Sequence, residues 1–505
     1  MDILQNLRSL DSLKTLFWDA LNYECENKPL SPRKWPDGVR QFLAEDPVLF
    51  ASGGTGNDFH VVYGRLDSSS LRRGMERPVV NQLLQDHPYA LFIFSNWDYS
   101  AWHFLNVKYD AQTEKRRLVR RIAVRAGEGL RTAAERMALL DLQTMSPDLF
   151  GLSPLLIQEH HDDAFDVEKV TKDFYGEIAN WYFWAREHAE FPKDAPLDAD
   201  GKSSLSLIRL LTRLIFCWFL KEKRNPQTGN GLIPETLFDA RRIQDLLKDP
   251  SPESCIYYTA ILQNLFFATL NTEMDQPGEP PVRRFLDEGD GQRSDDHMVH
   301  QRWRHARQLR DPAALEKLLR DIPFLNGGLF ECLDDRIEKA NSPYTVEKQI
   351  DGFSNDPKKQ PKIPNFLFYG AYQTADLSEA YGDSSRSRET VRPLLDILRR
   401  YNFTLTENTP FDQEVALDPE LLGHVFENLL AAFNPETGTV ARKATGSFYT
   451  PRIVVDWMVD QALQGLAGLC VVRWRADLRV GRCQDGRDGA RPSRRRQIET
   501  IAFMG

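Results

Sequence analysis

The spacing of hydrophobic residues differs between the first 150 residues and the stretch that follows. In the first part, short apolar runs and alternating positions are typical of strands, whereas 71–86 and 128–142 have the spacing of helices. The pattern predicts strands at 58–66, 89–94, 102–108 and 117–125. We therefore expect an N-terminal α/β domain over residues 1–150.

Between residues 160 and 440, hydrophobic residues recur every three or four positions, which favours helices. The clearest patterns predict helices at 167–189, 205–223, 255–270 and 418–433. Two polar segments, 275–296 and 351–364, interrupt them and are expected to be surface loops. This region is predicted to be a large, mostly helical connector domain, so the chain as a whole belongs to the α+β class.

A glycine turn leads into a further helical pattern at Thr445-Gly446-Ser447-Phe448-Tyr449-Thr450-Pro451-Arg452. Thr450 is a favoured N-cap residue, and Pro451 suits the first helical position. The free N–H groups of a helix N-terminus attract anionic groups, and the rings of Phe448 and Tyr449 are suited to cover a flat or cationic ligand. The segment is therefore either a capped helix start or one wall of a ligand site.

Three segments together resemble adenine-specific DNA methyltransferases, in particular the bifunctional type IIG restriction–modification enzymes and the related phage-defence methylases. They are 324–331, 417–427 and 446–451, and they occur in this order. The resemblance implies transfer of a methyl group from S-adenosyl-L-methionine to the exocyclic amine of an adenine flipped out of DNA. It also implies a set of cofactor-binding residues: Gly446, Phe448, Tyr449, Thr450 and Pro451.

The sequence departs from that family after the first cofactor motif. It contains neither an Asp-Pro-x-x-Gly-x-Gly loop nor an Asn-Pro-Pro-Tyr motif, so no catalytic residue is assigned. From residue 471 onward the chain carries nine Arg and no Lys. We expect residues 441–466 to begin a Rossmann-like methyltransferase domain that is not completed. Residues 467–505 are expected to form an aberrant, disordered Arg-rich tail, either a frameshifted end or a basic segment that binds nucleic acid.

A second candidate site is a cluster of six basic residues within eleven positions. Since the segment has the pattern of a strand, some of these side chains share one face and are suited to contact DNA phosphates. The alternative is a solvated hairpin edge whose charges prevent pairing with another strand. The predicted DNA-binding residues are Lys115, Arg116, Arg117, Arg120, Arg121 and Arg125.

Two short motifs resemble part of the Asp and Glu-x-Lys metal-ligand set of nucleases: Glu26-Asn27-Lys28 and Asn106-Val107-Lys108. The first is expected in a turn-like stretch without a preceding strand aspartate. The second lacks the acid that a hard divalent cation requires. No metal site and no working nuclease are therefore expected.

The composition bears on disulfides, membrane spans and DNA binding. The six cysteines are scattered without a C-x-x-C pair, which argues against a zinc or disulfide framework and favours a reducing cytoplasm. No apolar run approaches the length of a membrane span. The net charge of −9 is compatible with DNA binding if basic residues are concentrated on one face.

These features predict the N-terminal portion of a site-specific DNA adenine-N6 methyltransferase from a restriction–modification or phage-defence system, inactive by itself. The expected partners are double-stranded DNA and other restriction or phage-defence subunits. One alternative is a non-catalytic DNA-binding or assembly subunit of such a system. Another is a helical scaffold in which Thr450-Pro451 is only a helix cap.

Overall fold

In the computed structural model, the alternating segments of the first 125 residues pair into one mixed sheet. The structure describes residues 4, 6–109, 117–125, 131–225, 229–276, 281–286, 300–325, 328–338, 345–404, 412–417, 457, 458 and 461. Residues 1–435 form one compact unit and residues 436–505 a second. All the described residues except 457, 458 and 461 belong to the first unit. No helix in the described part of the chain is long and apolar enough to cross a membrane.

The sheet has seven strands in the order β1-β2-β3-β4-β5-β6-β11. The pairs β3–β4 and β6–β11 are parallel, and the other neighbours are antiparallel. The strands are β1 Glu24–Pro29, β2 Val48–Gly53, β3 Phe59–Arg65, β4 Ala90–Ser95, β5 Ala101–Tyr109, β6 Arg117–Arg125 and β11 Asp412–Glu414. The four predicted strands are confirmed as β3 to β6, whereas β1, β2 and β11 were not predicted.

Four short strands form two separate hairpin-like pairs. They are β7 Asp335–Glu338 with β8 Thr345–Lys348, and β9 Gln373–Ala375 with β10 Glu389–Val391. Both pairs lie in the region that was predicted to be mostly helical.

The helices are α1 Leu10–Thr15, α2 Asp37–Arg40, α3 Arg73–Asp86, α4 Arg131–Ala138, α5 Pro154–Ala164, α6 Val167–His188, α7 Ser204–Glu222, α8 Ala240–Leu246, α9 Gln263–Leu265, α10 Pro312–Leu319, α11 Ser378–Tyr381 and α12 Leu394–Arg400. The segments Leu16–Ala20, Tyr258–Leu262 and Phe266–Leu270 are π-helical. The predicted helices at 167–189 and 205–223 are therefore confirmed as α6 and α7. The 255–270 prediction is confirmed as a helical segment with π-type turns.

The two faces of the sheet belong to two hydrophobic clusters, because successive strand residues point to opposite faces. On one face, Val62 and Phe92 pack in a small cluster with Val79 and Leu83 of α3. On the other face, Phe59, Tyr63 and Phe104 join a large cluster that includes residues of α6 and α7 and extends to Leu417. The core of the α/β part thus continues into the helical part, and the division near residue 150 stays a prediction.

The expected surface loop at 351–364 is wrong at its beginning. Asp351, Gly352, Phe353 and Ser354 are buried. They are held by Asp334, whose carboxylate accepts backbone N–H groups from residues 350 to 353 at 2.7–3.1 Å. A buried loop of this kind is stable only when its backbone groups have partners, and one acidic side chain supplies four of them.

Candidate nucleic-acid interface

The predicted cofactor residues Gly446, Phe448, Tyr449, Thr450 and Pro451 lie outside the described residues. Contact between this segment and S-adenosyl-L-methionine therefore stays a prediction. The same holds for the expected methyltransferase start at 441–466 and the Arg-rich tail at 467–505, of which only residues 457, 458 and 461 are described, all as helical.

The predicted basic strand exists as β6, but it is not the edge of the sheet. Lys115 and Arg116 lie outside the described residues, and only the backbone of Arg117 is described. Residues Val119 to Arg121 pair on one side with β5 and on the other with β11. The alternative of a solvated hairpin edge is therefore wrong for this part of β6. Arg125, at the end of the strand, is exposed.

Arg121 points into the small cluster on the α3 face of the sheet, where it meets Glu76. Its Nη2 donates to Glu76 Oε2 at 2.6 Å, and His103 Nδ1 lies 2.5 Å from Glu76 Oε1. All three side chains are buried. Burial opposes ionisation of Glu76, but the charges and hydrogen bonds of His103 and Arg121 outweigh it and lower its pKa. Arg121 is thus an interior residue, held away from any phosphate at the surface.

Arg120 points to the opposite face and contacts the loop and helix that follow the sheet. Its Nη1 donates to the Asp162 carbonyl at 3.2 Å, and its Nη2 lies 3.9 Å from Asp166, the N-cap residue of α6. The side chain is 12% exposed. Arg120 therefore links β6 to the start of α6, and its side chain is largely buried.

An acid does lie beside Asn106, although none is near it in sequence. Asn106 Nδ2 donates to Asp162 Oδ1 at 2.6 Å, and Gln158 Nε2 donates to Asn106 Oδ1 at 2.7 Å. Gln158 Nε2 also donates to Asp162 Oδ1, at 3.3 Å. Burial raises the pKa of Asp162, and the hydrogen bonds from Asn106 and Gln158 and the charges of Lys108 and Arg120 partly oppose this rise. Local spacing carries no signal for this cluster, because Asn106 is 52 and 56 positions away from Gln158 and Asp162.

Glu26 and Lys28 lie on strand β1, so the expected turn-like stretch is wrong. Lys28 Nζ is 3.0 Å from Glu26 Oε2, and Ser52 Oγ of β2 donates to Glu26 Oε1 at 3.4 Å. Sequence reasoning missed the strand because its residues are almost all exposed and show no apolar alternation.

A charged cleft of about 560 Å³ opens beside the start of α6, among α4, α6, β10 and the end of α12. Five cationic and four acidic side chains line it, and no part of it is apparent from sequence spacing. The charged lining residues are Glu135, Arg136, Lys169, Lys172, Asp173, Glu177, Arg386, Glu389 and Arg400.

Helix α6 supplies one wall of the cleft, because residues three or four positions apart lie on the same side of a helix. Lys169, Lys172 and Asp173 are exposed on this wall, while Phe174 and Ile178 lie on the buried side of the same helix. Gly176 is exposed on the same helix, one turn after Lys172, and a Cβ atom there would have no neighbour within 4 Å. The missing side chain therefore leaves the middle of the wall open.

The ion pairs in the cleft are longer than strong charge-assisted hydrogen bonds, which are about 2.7–2.9 Å. Arg136 Nη2 lies 3.4 Å from Asp173, and Arg400 Nε lies 3.3 Å from Glu177. A second nitrogen of Arg400, Nη1, is buried without a hydrogen-bond partner in the structure. The Arg400 guanidinium therefore retains donor capacity for an anionic ligand.

Comparison with known proteins gives one informative relative. A segment of 257 residues is 25% identical to a protein of Methanocaldococcus jannaschii named "Putative type II restriction enzyme and methyltransferase". The match spans 51% of this chain but only 14% of that protein. No protein-family model and no solved structure matches the chain. The chain is thus similar over half its length to a small part of a restriction–modification protein.

Proposed function

We propose that this chain is part of a site-specific DNA adenine-N6 methyltransferase of a restriction–modification or phage-defence system, and that it contributes DNA contacts. The similarity to a restriction enzyme and methyltransferase over 51% of the chain is the observation that carries this proposal. The order of the three segments that resemble adenine-specific methyltransferases supports the adenine-N6 part of it.

The charged cleft is the described feature best suited to a DNA phosphate. Lys169 and Lys172 are exposed at the cleft, and Arg400 has an unused buried donor. A phosphate oxygen is a stronger acceptor for guanidinium than a carboxylate held 3.3 Å away in poor geometry. Such contacts position a protein on DNA without reading its sequence. The cleft is therefore proposed to hold the backbone, while base recognition belongs to other parts of the system.

The cofactor of the proposed system is S-adenosyl-L-methionine, with Gly446, Phe448, Tyr449, Thr450 and Pro451 as its proposed contacts. Methyl transfer to adenine requires an Asn/Asp-Pro-Pro-aromatic motif in the family, and the 505-residue sequence contains none. We therefore expect no methyl transfer by this polypeptide alone. A radiolabelled transfer assay with mixed-sequence duplex DNA should remain at background, and transfer above background would contradict this part of the proposal.

The second candidate is a non-catalytic DNA-binding or assembly subunit. The absence of the Pro-Pro-aromatic motif from this sequence, together with the loosely paired cations of the cleft, favours it. Adding a separate catalytic methyltransferase chain from such a system distinguishes the two candidates. Stable co-purification, and methylation that depends on this chain, would favour the subunit.

DNA contact by the cleft is tested with the double variant Lys169→Ala/Lys172→Ala. Both lysines are exposed, so the fold should be unaffected. Binding to a duplex is measured by fluorescence anisotropy over a series of salt concentrations. We expect weaker binding and a decrease of about 1 to 2 in the slope of log K against log salt, since each phosphate contact contributes about 0.9.

The matched control is Lys193→Ala/Lys358→Ala, which removes two exposed lysines that do not line the cleft. The control should keep the affinity and the slope of the unmodified protein. If both double variants weaken binding equally, the effect is one of overall charge and the cleft is not the DNA site.

A further inference from the structure

A histidine, a cysteine and a carboxylate meet in the helical part of the chain, far from the cleft residues in sequence. One ligand atom from each of His300, Cys332 and Asp334 lies within 4.8 Å of the other two. Cys332 and Asp334 are buried, and His300 is half-buried. Two separate segments supply the three side chains, so their meeting is a product of tertiary structure and not of a local motif.

The His300 ring is short of polar partners. Its Nε2 atom is buried and has no hydrogen-bond partner in the structure. A buried polar atom without a partner is unfavourable, so such atoms in proteins usually face a water molecule or an ion.

Asp334 is held in a fixed orientation by its surroundings. Its Oδ1 accepts the N–H groups of Ile350, Asp351 and Gly352 at 2.7–3.1 Å, while its Oδ2 accepts only that of Phe353, at 2.7 Å. An oxygen with one hydrogen bond keeps a lone pair for a metal. The four N–H donors provide the outer contacts that orient a ligating carboxylate.

We propose that His300, Cys332 and Asp334 form a binding site for a zinc ion, with water as the fourth ligand. Nitrogen, sulfur and carboxylate oxygen are the ligands that Zn²⁺ takes in proteins, at about 2.0–2.3 Å. Tetrahedral bonds of that length place ligand atoms about 3.3–3.8 Å apart, so the three groups need only a small approach from their positions within 4.8 Å.

The neighbouring cation Arg304 opposes a divalent metal ion, so the charge of the metal has to be balanced by its own ligands. Arg304 is buried near Cys332 and Asp334, with its guanidinium over the Phe353 ring at 4.9 Å. Asp351 is paired separately with Arg213 at 2.9 Å. When Zn²⁺ binds, the Cys332 thiol releases its proton, and the thiolate and the Asp334 carboxylate balance the two charges of the metal.

The proposed ion joins the segment around His300 to the Cys332–Asp334 segment and, through Asp334, to the buried loop at 350–353. This link between segments does not depend on the function proposed for the cleft.

Cobalt is the probe for this site, because Co²⁺ replaces Zn²⁺ and absorbs light when it is bound to a thiolate. The purified full chain, treated with chelator and then titrated with Co²⁺, should develop a near-ultraviolet thiolate-to-cobalt band that saturates at one ion per chain. Added Zn²⁺ should abolish the band. Cys332→Ser should lose the band, and His300→Gln should weaken Co²⁺ binding at least tenfold.

The controls use the other cysteines of the chain. Cys25→Ser removes an exposed thiol, and Cys470→Ser/Cys483→Ser removes the two that follow residue 466; both proteins should keep the full band. Circular dichroism checks that each variant is folded, and His300→Gln decides the matter if Cys332→Ser does not fold. A band that is absent from the unmodified protein, or that disappears in the Cys470/Cys483 variant, would overturn the proposal.

Discussion

Arginine and carboxylate side chains meet in two different settings in this molecule. In the cluster of Glu76, His103 and Arg121, the groups are buried, and their contacts are 2.5–2.6 Å long. In the charged cleft, Arg136 and Arg400 lie 3.3–3.4 Å from Asp173, Glu135 and Glu177, beside open space. The arginine side chains are largely buried in both settings. The difference lies in the length of the contacts and in the carboxylates, since the Glu76 side chain is 0% exposed and those in the cleft are 21–56% exposed.

Charged side chains therefore have two different roles here: they stabilise the fold in the buried cluster and are available to a ligand in the cleft. Short contacts in a dry interior are out of reach of a ligand, so the buried cluster fixes the position of α3 on the sheet. Longer contacts at an open cleft are worth little to stability and are easily exchanged for a phosphate. Arg121 was predicted from the sequence to bind DNA and belongs to the first setting, whereas Arg400 was not predicted and belongs to the second.

The largest expected effect is on the buried cluster. Glu76→Gln removes the negative charge that faces both His103 and Arg121. Breaking a buried ion pair from one side costs about 3–5 kcal/mol, because a charge then remains in the interior. Urea denaturation should show a loss of this size in the free energy of unfolding. A loss below about 1 kcal/mol would place the cluster in the same class as the cleft pairs.

A second effect of burial should appear in the dependence of stability on pH. His161 is fully buried beside Tyr23, whose hydroxyl lies 2.8 Å from its Nε2. Burial, together with the nearby His160, lowers the pKa of His161 from 6.5 to about 3. Below pH 6.5, His161 therefore becomes protonated in the unfolded chain but stays neutral in the folded protein. The free energy of unfolding falls as the pH decreases from 6.5 towards 3.

Between pH 6.5 and pH 5, this one group should lower the free energy of unfolding by about 1.5 kcal/mol. His161→Gln should remove that part of the pH dependence, measured by urea denaturation at several pH values. His188→Gln changes an exposed histidine and is the control, with an expected pH profile equal to that of the unmodified protein. Equal profiles for all three proteins would show that His161 is protonated in the folded state.

The sequence predicted the parts of the fold that carry local hydrophobic patterns. Strands β3 to β6 and helices α6 and α7 were predicted because their apolar positions recur at the period of the element. Strand β1 is polar and almost fully exposed, and β11 has three residues that pair with β6 from almost 300 positions away. Neither feature leaves a signal in local periodicity.

The site was harder to predict than the fold. The basic residues near position 120 suggested that some side chains share a DNA-binding face. Arg120 and Arg121 lie on opposite faces, as alternation requires, and the structure supplies each with an acid from another element. The cleft draws its charges from residues 135 to 400. Side chains that meet across such distances can be brought together only by the tertiary structure.

A smaller effect is expected from adding a charge to the cleft. Gly176→Glu and Gly176→Gln place side chains of similar size in the open part of the wall, and both avoid the helix cost of glycine. Only the first adds a negative charge. Two like charges about 4 Å apart repel by about 1 kcal/mol in water, so DNA affinity should be about fivefold lower for the Glu variant than for the Gln variant. The difference should vanish at high salt; a difference that persists there would indicate a steric cause.

The smallest effect on stability, and the sharpest contrast with Glu76, is expected from Asp173→Asn. The Asp173 side chain is 56% exposed, and its pairing with Arg136 spans 3.4 Å. The Asp173 carboxylate is solvated, and Asn keeps an oxygen that can accept from Arg136, so the free energy of unfolding should change by less than about 1 kcal/mol. DNA binding should nevertheless change in the opposite direction from that of Gly176→Glu. The substitution removes a carboxylate that competes with phosphate for Arg136, so affinity should rise a few-fold at low salt, as measured by anisotropy.

The matched control is Glu187→Gln, which changes an exposed acid on the same helix that does not line the cleft. It should leave affinity nearly unchanged. If Asp173→Asn weakens binding instead, the Arg136–Asp173 pair orients the guanidinium for its ligand, and the cleft pairs share the positioning role of the buried cluster.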